Sequence, residues 1–138
     1  MGFGQAVATV FSRYATFSGR ARRSEFWWWY LFVLLLSIAV SVVVAVTGGY
    51  SIDDETGLPV YGSGTALLIL LLWLVLVVPN IAVTVRRLHD TDRSGFWWFI
   101  GFVPLVGWII LLVLMVLEGT QGPNRYGPDP TYTGVPQG

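Results

Sequence analysis

An all-α membrane protein is the fold class this sequence predicts: three transmembrane helices, a short N-terminal amphipathic interfacial helix and a Gly/Pro-rich C-terminal tail. Three observations carry the prediction. The 138 residues are 54% hydrophobic and only 12% charged, about half the charge of an ordinary soluble domain. Three stretches, 26–46, 65–85 and 96–117, hold no charged residue at all. All eight bases are Arg, and seven of them lie before the first stretch or between the second and third.

The elements follow in chain order. Phe3, Val7, Val10, Phe11 and Tyr14 repeat at helical spacing, with Gln5, Ser12 and Arg13 off that stripe. This predicts a short helix lying on the membrane surface or packed on the ends of the spans. The three apolar stretches are 21, 21 and 22 residues long. As helices they would reach about 31–33 Å, matching a hydrocarbon core of about 30 Å. Trp27-Trp28-Trp29-Tyr30 and Phe96-Trp97-Trp98-Phe99 open the first and third stretches, where an aromatic belt belongs. In the third, Pro104 and Gly107 predict a kink within a single span. A re-entrant half-helix is the alternative, and it would return the tail to the side from which the stretch set out. One membrane domain over 1–130 is expected, followed by a disordered tail over 131–138.

The Arg distribution predicts orientation. Arg13, Arg20, Arg22 and Arg23 precede the first span, and Arg86, Arg87 and Arg93 lie between the second and third. The 47–64 loop carries Asp53, Asp54 and Glu55 and no base. The positive-inside rule places the N-terminus and the 86–95 loop in the cytoplasm and the 47–64 loop outside. The tail, with Arg125, would then be outside.

Composition also excludes functions. There is no Cys, so disulfides, thiolate metal sites and Cys nucleophiles are ruled out. Net charge is zero, which argues against nucleic acid as a partner. No metal site, cofactor or catalytic set is expected. His89 stands beside Asp90 and Asp92 but lacks a second ligand at helical spacing. Arg20, Arg22, Arg23, Arg86, Arg87 and Arg93 share one headgroup layer, where guanidinium forks can pair with lipid phosphate or internally with Glu25, Asp90 and Asp92. Asn80 and Thr84, four residues apart in the second stretch, predict a polar packing contact or a pathway. Together with Glu25, His89 and Asp90 they form the candidate polar network. Ser37, Ser41 and Ala45 give the first span a small-residue face suited to close helix packing.

Arg23-Ser24-Glu25-Phe26-Trp27-Trp28-Trp29 echoes Arg93-Ser94-Gly95-Phe96-Trp97-Trp98-Phe99. Arg followed by aromatics is what an inner interface demands, and that explains the echo better than duplication does.

Three blocks carry a family resemblance. The first runs from Tyr14 through Phe17-Ser18-Gly19-Arg20-Ala21-Arg22-Arg23-Ser24-Glu25-Phe26-Trp27. The second is Val83-Thr84-Val85-Arg86-Arg87-Leu88-His89-Asp90-Thr91 with Arg93-Ser94-Gly95-Phe96-Trp97-Trp98. The third is Gly119 with Gly122-Pro123-Asn124-Arg125-Tyr126-Gly127-Pro128-Asp129-Pro130. In order and spacing the chain resembles the YhaH-like small bacterial inner-membrane proteins, a family defined by a domain of unknown function. It departs at Asp92, where relatives more often have Gly or Asn and a tight turn is easier. The resemblance implies a multi-pass plasma-membrane protein in a bacterium and brings no activity, substrate or cofactor with it.

The functional expectation is a non-enzymatic module that binds lipid headgroups, anionic ones among them, or a partner protein through the Arg layer. A homo-oligomer or a membrane-protein partner is compatible with it. The alternative is a subunit of an oligomeric transporter or channel, with Asn80, Thr84 and Arg87 lining the path. An enzyme acting on a lipid headgroup ranks third.

Overall fold

A computed structural model of the chain describes residues 1–132. Of the tail expected to be disordered, 133–138 lie outside the described residues, while Thr131 and Tyr132 are placed by bonds to Asp129. Four α-helices, one 3₁₀ segment and one small hairpin make up the described structure. They are α1 (Phe3–Ser12), α2 (Arg23–Val46), strands β1 (Tyr50–Ile52) and β2 (Pro59–Tyr61), α3 (Ser63–Asp90), the 3₁₀ segment Gly95–Phe102, and α4 (Val106–Val116). The chain divides into two compact units. One holds residues 1–29 and those from Val78 onward, and the other holds Tyr30–Val77.

In the first unit, α1 is anchored rather than free-lying. Ala6 and Val10 are fully buried. Phe3 packs edge-on against Trp28 at 5.9 Å and Phe11 against Trp29 at 5.2 Å. The helical stripe read from sequence is real, but Ala6 and Val10 form its buried centre and it faces the start of α2.

α2 and α3 are the two helices long and apolar enough to cross a membrane, at 24 and 28 residues. They measure about 36 and 42 Å. α3 therefore exceeds a hydrocarbon core of about 30 Å, and its last turns carry Arg86, Arg87, His89 and Asp90 as helix. The inner loop expected over 86–95 shrinks to Thr91–Ser94.

That helix end is a Schellman closure. Asp92 N–H donates to His89 O at 3.0 Å, and Arg93 N–H donates to Leu88 O at 3.0 Å. Asp92 sits at φ +59°, the left-handed position that usually takes Gly or Asn. The tight turn thus survives the departure noted in the sequence, with Asp supplying it.

The third apolar stretch corrects the expectation of a third span. It is a helical hairpin, not a kinked crossing. The 3₁₀ segment over Gly95–Phe102 starts with Ser94 Oγ accepting from Phe96 N–H at 3.3 Å. Val103 is extended, as a residue before Pro must be. Val106 N–H then donates to Pro104 O at 2.7 Å around Leu105 at φ +62°, ψ −67°, the strained form of γ-turn. α4 packs back on the 3₁₀ arm. Gly107 lies so close to the Ile100 carbonyl that a Cβ there would overlap it, and Trp108 Nε1 donates to Gly101 O at 2.7 Å. At 11 residues, α4 is about 17 Å long, too short to cross.

The tail is corrected with it. Thr120 N–H donates to Asp90 O at 2.7 Å, and Asn124 Nδ2 donates to His89 O at 2.9 Å. It therefore lies at the same end of α3 as the Arg cluster, not at the opposite end.

In the second unit, β1 and β2 pair antiparallel, with Tyr50 opposite Tyr61. Asp53 closes their turn by accepting from the Glu55 and Thr56 N–H groups and from the Thr56 hydroxyl. Those bonds, the Thr56 hydroxyl foremost, hold the Asp53 carboxyl below the ordinary carboxylate value. The acidic 47–64 loop is thus a short hairpin, an element the all-α reading did not contain.

Candidate functional site

The densest chemistry in the first unit is a buried network of Arg and carboxylate groups. Its hub is Asp90, on the last turn of α3. Arg20 Nε donates to Asp90 Oδ1 at 2.9 Å, and Arg87 Nη1 donates to Asp90 Oδ2. Arg86 Nη1 pairs with Glu25 Oε1 at 2.5 Å. Arg86 and Arg87 are fully buried, and Arg20, Glu25 and Asp90 nearly so.

Three guanidiniums against two carboxylates leave one positive charge in excess within this network. Backbone oxygens answer it. Arg20 donates to the Thr120 carbonyl at 2.5 Å and to that of Gly122 at 2.7 Å. Arg87 donates to Met115 O at 3.2 Å and to Leu117 O. These last two lie at the C-terminal end of α4, where a helix presents partial negative charge. Gly119 is required at the crossing, because a Cβ there would collide with the Asp90 carboxylate. Arg86 Nε and Nη2 have no partner among the described residues; buried donors of this kind are ordinarily met by ordered water.

Part of the Arg layer thus takes the internal pairing that the sequence left open. Of the six Arg expected at lipid headgroups, Arg20, Arg86 and Arg87 are consumed inside the protein. Arg93 donates to its neighbour Thr91 O at 3.2 Å. Arg22 forms no ion pair or side-chain hydrogen bond among the described residues. Arg23 makes two long contacts, to Val116 O at 3.4 Å and to Glu118 at 3.5 Å. Arg22 and Arg23 line a cavity of about 360 Å³ together with Arg20, Ser24, Glu118 and Thr120. That volume falls within the range of small-ligand pockets.

The polar network splits into three places. Asn80 Oδ1 accepts from the indole of fully buried Trp29 at 2.6 Å, and Thr84 donates to Asn80 O at 2.7 Å. His89 Nδ1 donates to Gly19 O at 3.0 Å; a carbonyl only accepts, so the proton sits on Nδ1 in the neutral ring. The His89 ring stacks on Tyr126 at 4.0 Å. Glu25 and Asp90 join the Arg network.

Sequence reasoning missed Glu118 and the carbonyls of Met115, Leu117, Thr120 and Gly122. The signal was present as the Gly119 to Pro130 block. Its partners were hidden because the tail was expected on the opposite side. Asp129 also belongs there, accepting from Gly122 N–H at 3.0 Å and from Thr131. The Thr131 hydroxyl is the main cause of its carboxyl lying below the ordinary value.

A second cavity, of about 420 Å³, lies within the other unit, lined by Leu36, Ser37, Ser41, Tyr50, Tyr61 and Trp73 among others. Ser37 and Ser41 donate to carbonyls one turn back on their own helix, at 2.7 and 2.8 Å, so it offers little polar recognition.

Comparison with known proteins places the chain. Residues 14–128 match the family described as "Protein of unknown function (DUF805)". The chain belongs to this family. It is similar to the Inner membrane protein YhaI of Escherichia coli K12, 40% identical over 128 residues, covering 93% of this chain and 97% of that protein. It is also similar to the Inner membrane protein YhaH of the same organism, 37% identical over 121 residues, covering 88% and 92%. The Uncharacterized protein YiiR is 31% identical over 143 residues, covering 83% and 85%. No solved structure matches. With its two membrane-length helices, this family member is a multi-pass protein of the bacterial inner membrane. The match runs through the Arg network, the hairpin and most of the tail.

Proposed function

We propose that the chain is a non-enzymatic module of the inner membrane that binds a phospholipid headgroup in the cavity at the start of α2, with that end of the molecule facing the cytoplasm. The observation that carries this reading is the placement of Arg22 and Arg23. Their guanidiniums have capacity left, they line a cavity, and they stand at the first turn of a membrane-length helix. Exposed Trp27, Trp28 and Tyr30 follow within two turns and mark that level as the interface. A guanidinium fork at headgroup depth fits a phosphodiester. The Arg-rich end supports the cytoplasmic orientation through the positive-inside rule.

Binding is favoured over catalysis because His89 and Asp90, the groups most able to move protons, are tied into structural bonds. It is favoured over a solute path because Asn80 is bonded to Trp29 and Thr84 to its own helix.

The test is native mass spectrometry of the protein released from mild detergent. Wild type is expected to retain phospholipid stoichiometrically. Arg22→Ala/Arg23→Ala should lose at least about tenfold of that occupancy, a difference of about 1.4 kcal/mol, while Arg13→Ala keeps it. Equal retention in all three would sink the reading.

A further inference from the structure

We infer that this cavity selects a zwitterionic headgroup, a phosphodiester carrying a primary ammonium, over an anionic one. The inference rests on the headgroup reading above and names the lipid class within it.

The argument is which charged groups of the cavity keep capacity for a ligand. Its lining contributes three guanidiniums, Arg20, Arg22 and Arg23, and three carboxylates, Asp90, Glu118 and Asp129. Asp90 is shared with Arg87 from behind the lining, so the choice between headgroups falls to the groups that keep capacity for a ligand. Three of the six are already committed. Arg20 and Asp90 bind each other and further partners, and Asp129 accepts from Gly122 and Thr131. Arg22, Arg23 and Glu118 remain. Glu118 has one contact, to Arg23 at 3.5 Å, and its side chain is 76% exposed.

The remaining groups are therefore two guanidinium forks and one carboxylate, side by side. The forks match the phosphate oxygens of a headgroup. Glu118 matches a donor cation a few atoms away on the same headgroup. A purely anionic headgroup would use the same forks but bring no cation to Glu118, so it would forgo that second charge-assisted contact. A quaternary ammonium carries the charge but has no N–H to donate, so it would forgo the charge-assisted hydrogen bond. The preference runs from primary ammonium to quaternary ammonium to anion. The Thr120 and Ser24 hydroxyls, also in the lining, can donate or accept and suit either end of such a dipole.

The experiment offers the full chain, in mild detergent, an equimolar mixture of phosphatidylethanolamine, phosphatidylcholine and phosphatidylglycerol with identical acyl chains. Retained lipid is read by native mass spectrometry. Phosphatidylethanolamine is expected to exceed each of the others by at least about tenfold. Glu118→Gln, a change at an exposed side chain, should bring the three within about twofold by losing the ethanolamine lipid specifically. Soluble phosphoethanolamine at millimolar concentration is expected to displace it poorly, which assigns the site to lipid rather than to a free phosphate ester. Phosphatidylglycerol bound as well as phosphatidylethanolamine, or a preference unchanged in Glu118→Gln, overturns the zwitterion inference and leaves the headgroup reading standing. No lipid of any class retained by wild type overturns both. Efficient displacement by phosphoethanolamine moves the site from a lipid to a soluble ligand.

Discussion

Asp90 is the residue on which the first unit turns. Its carboxylate pairs with two guanidiniums, Arg20 and Arg87, and its carbonyl takes the Thr120 N–H. Removing one side of a buried ion pair costs about 3–5 kcal/mol, because the other charge stays buried and uncompensated. Asp90→Asn is thus expected to lower stability in detergent by at least that range, read as the midpoint of thermal unfolding followed by Trp fluorescence. Arg23→Ala should cost no more than about 1 kcal/mol of stability in the same measurement, since Arg23 and Glu118 form an exposed pair. A small effect of Asp90→Asn would mean the network is ornament. The contrast bears on the proposed function as well: substitution of Arg86 or Arg87 breaks a buried ion pair, so the proposed lipid binding is tested at Arg22, Arg23 and Glu118. Asp92 teaches a similar lesson at the scale of one φ angle. A sequence departure that argued against a turn sits inside one, because Asp tolerates the left-handed region better than most residues.

Among the elements, the third apolar stretch decides the topology. Its composition is that of a span, and its mean apolarity hides a backbone break at Val103–Leu105. Pro104 withdraws a donor and forces Val103 extended. Gly101 and Gly107 then allow the two arms to lie together, with Gly107 against the Ile100 carbonyl. The remaining cost is carried by Leu105, a non-Gly residue at φ +62°. Strained positions of this kind store about 1–3 kcal/mol. Leu105 is 76% exposed, so little packing is lost on removing its side chain. Leu105→Gly is expected to raise the thermal midpoint modestly by relieving the turn, while Gly107→Ala should lower it by about 1–3 kcal/mol through overpacking. A continuous kinked helix would give the reverse order, since Gly is the poorer helix residue.

For the molecule as a whole, the consequence is that residues before α2, the end of α3 and the tail all belong to one unit. The absence of Cys makes this easy to test with single introduced thiols. Ser94→Cys, Gln121→Cys and Pro123→Cys should be labelled by a membrane-impermeant maleimide from one and the same side of oriented vesicles. Asp54→Cys, in the hairpin between α2 and α3, should be labelled from the other. Ser94→Cys and Pro123→Cys labelled from opposite sides would restore the three-span topology and overturn the re-entrant hairpin.

Much of this protein was legible from its residues. The apolarity of α2 and α3, the Arg-rich end and the aromatic start of α2 all follow from sums over neighbouring residues. Hydropathy, helix period and charge asymmetry are local quantities, so one sequence suffices to read them. Contacts at long range were not legible. Arg20 reaches Asp90 across 70 positions and Gly122 across 102, and no local pattern says which carboxylate neutralises which guanidinium. The same holds for the third stretch: its apolar composition suits a span and a re-entrant hairpin equally. Sequence determined that the chain enters a membrane and that its Arg cluster before the first apolar stretch and after the second. Tertiary structure alone decided which of those Arg are buried as internal ties and which stay outside that network, because a guanidinium out of water is tolerable only where the fold supplies its counter-charge.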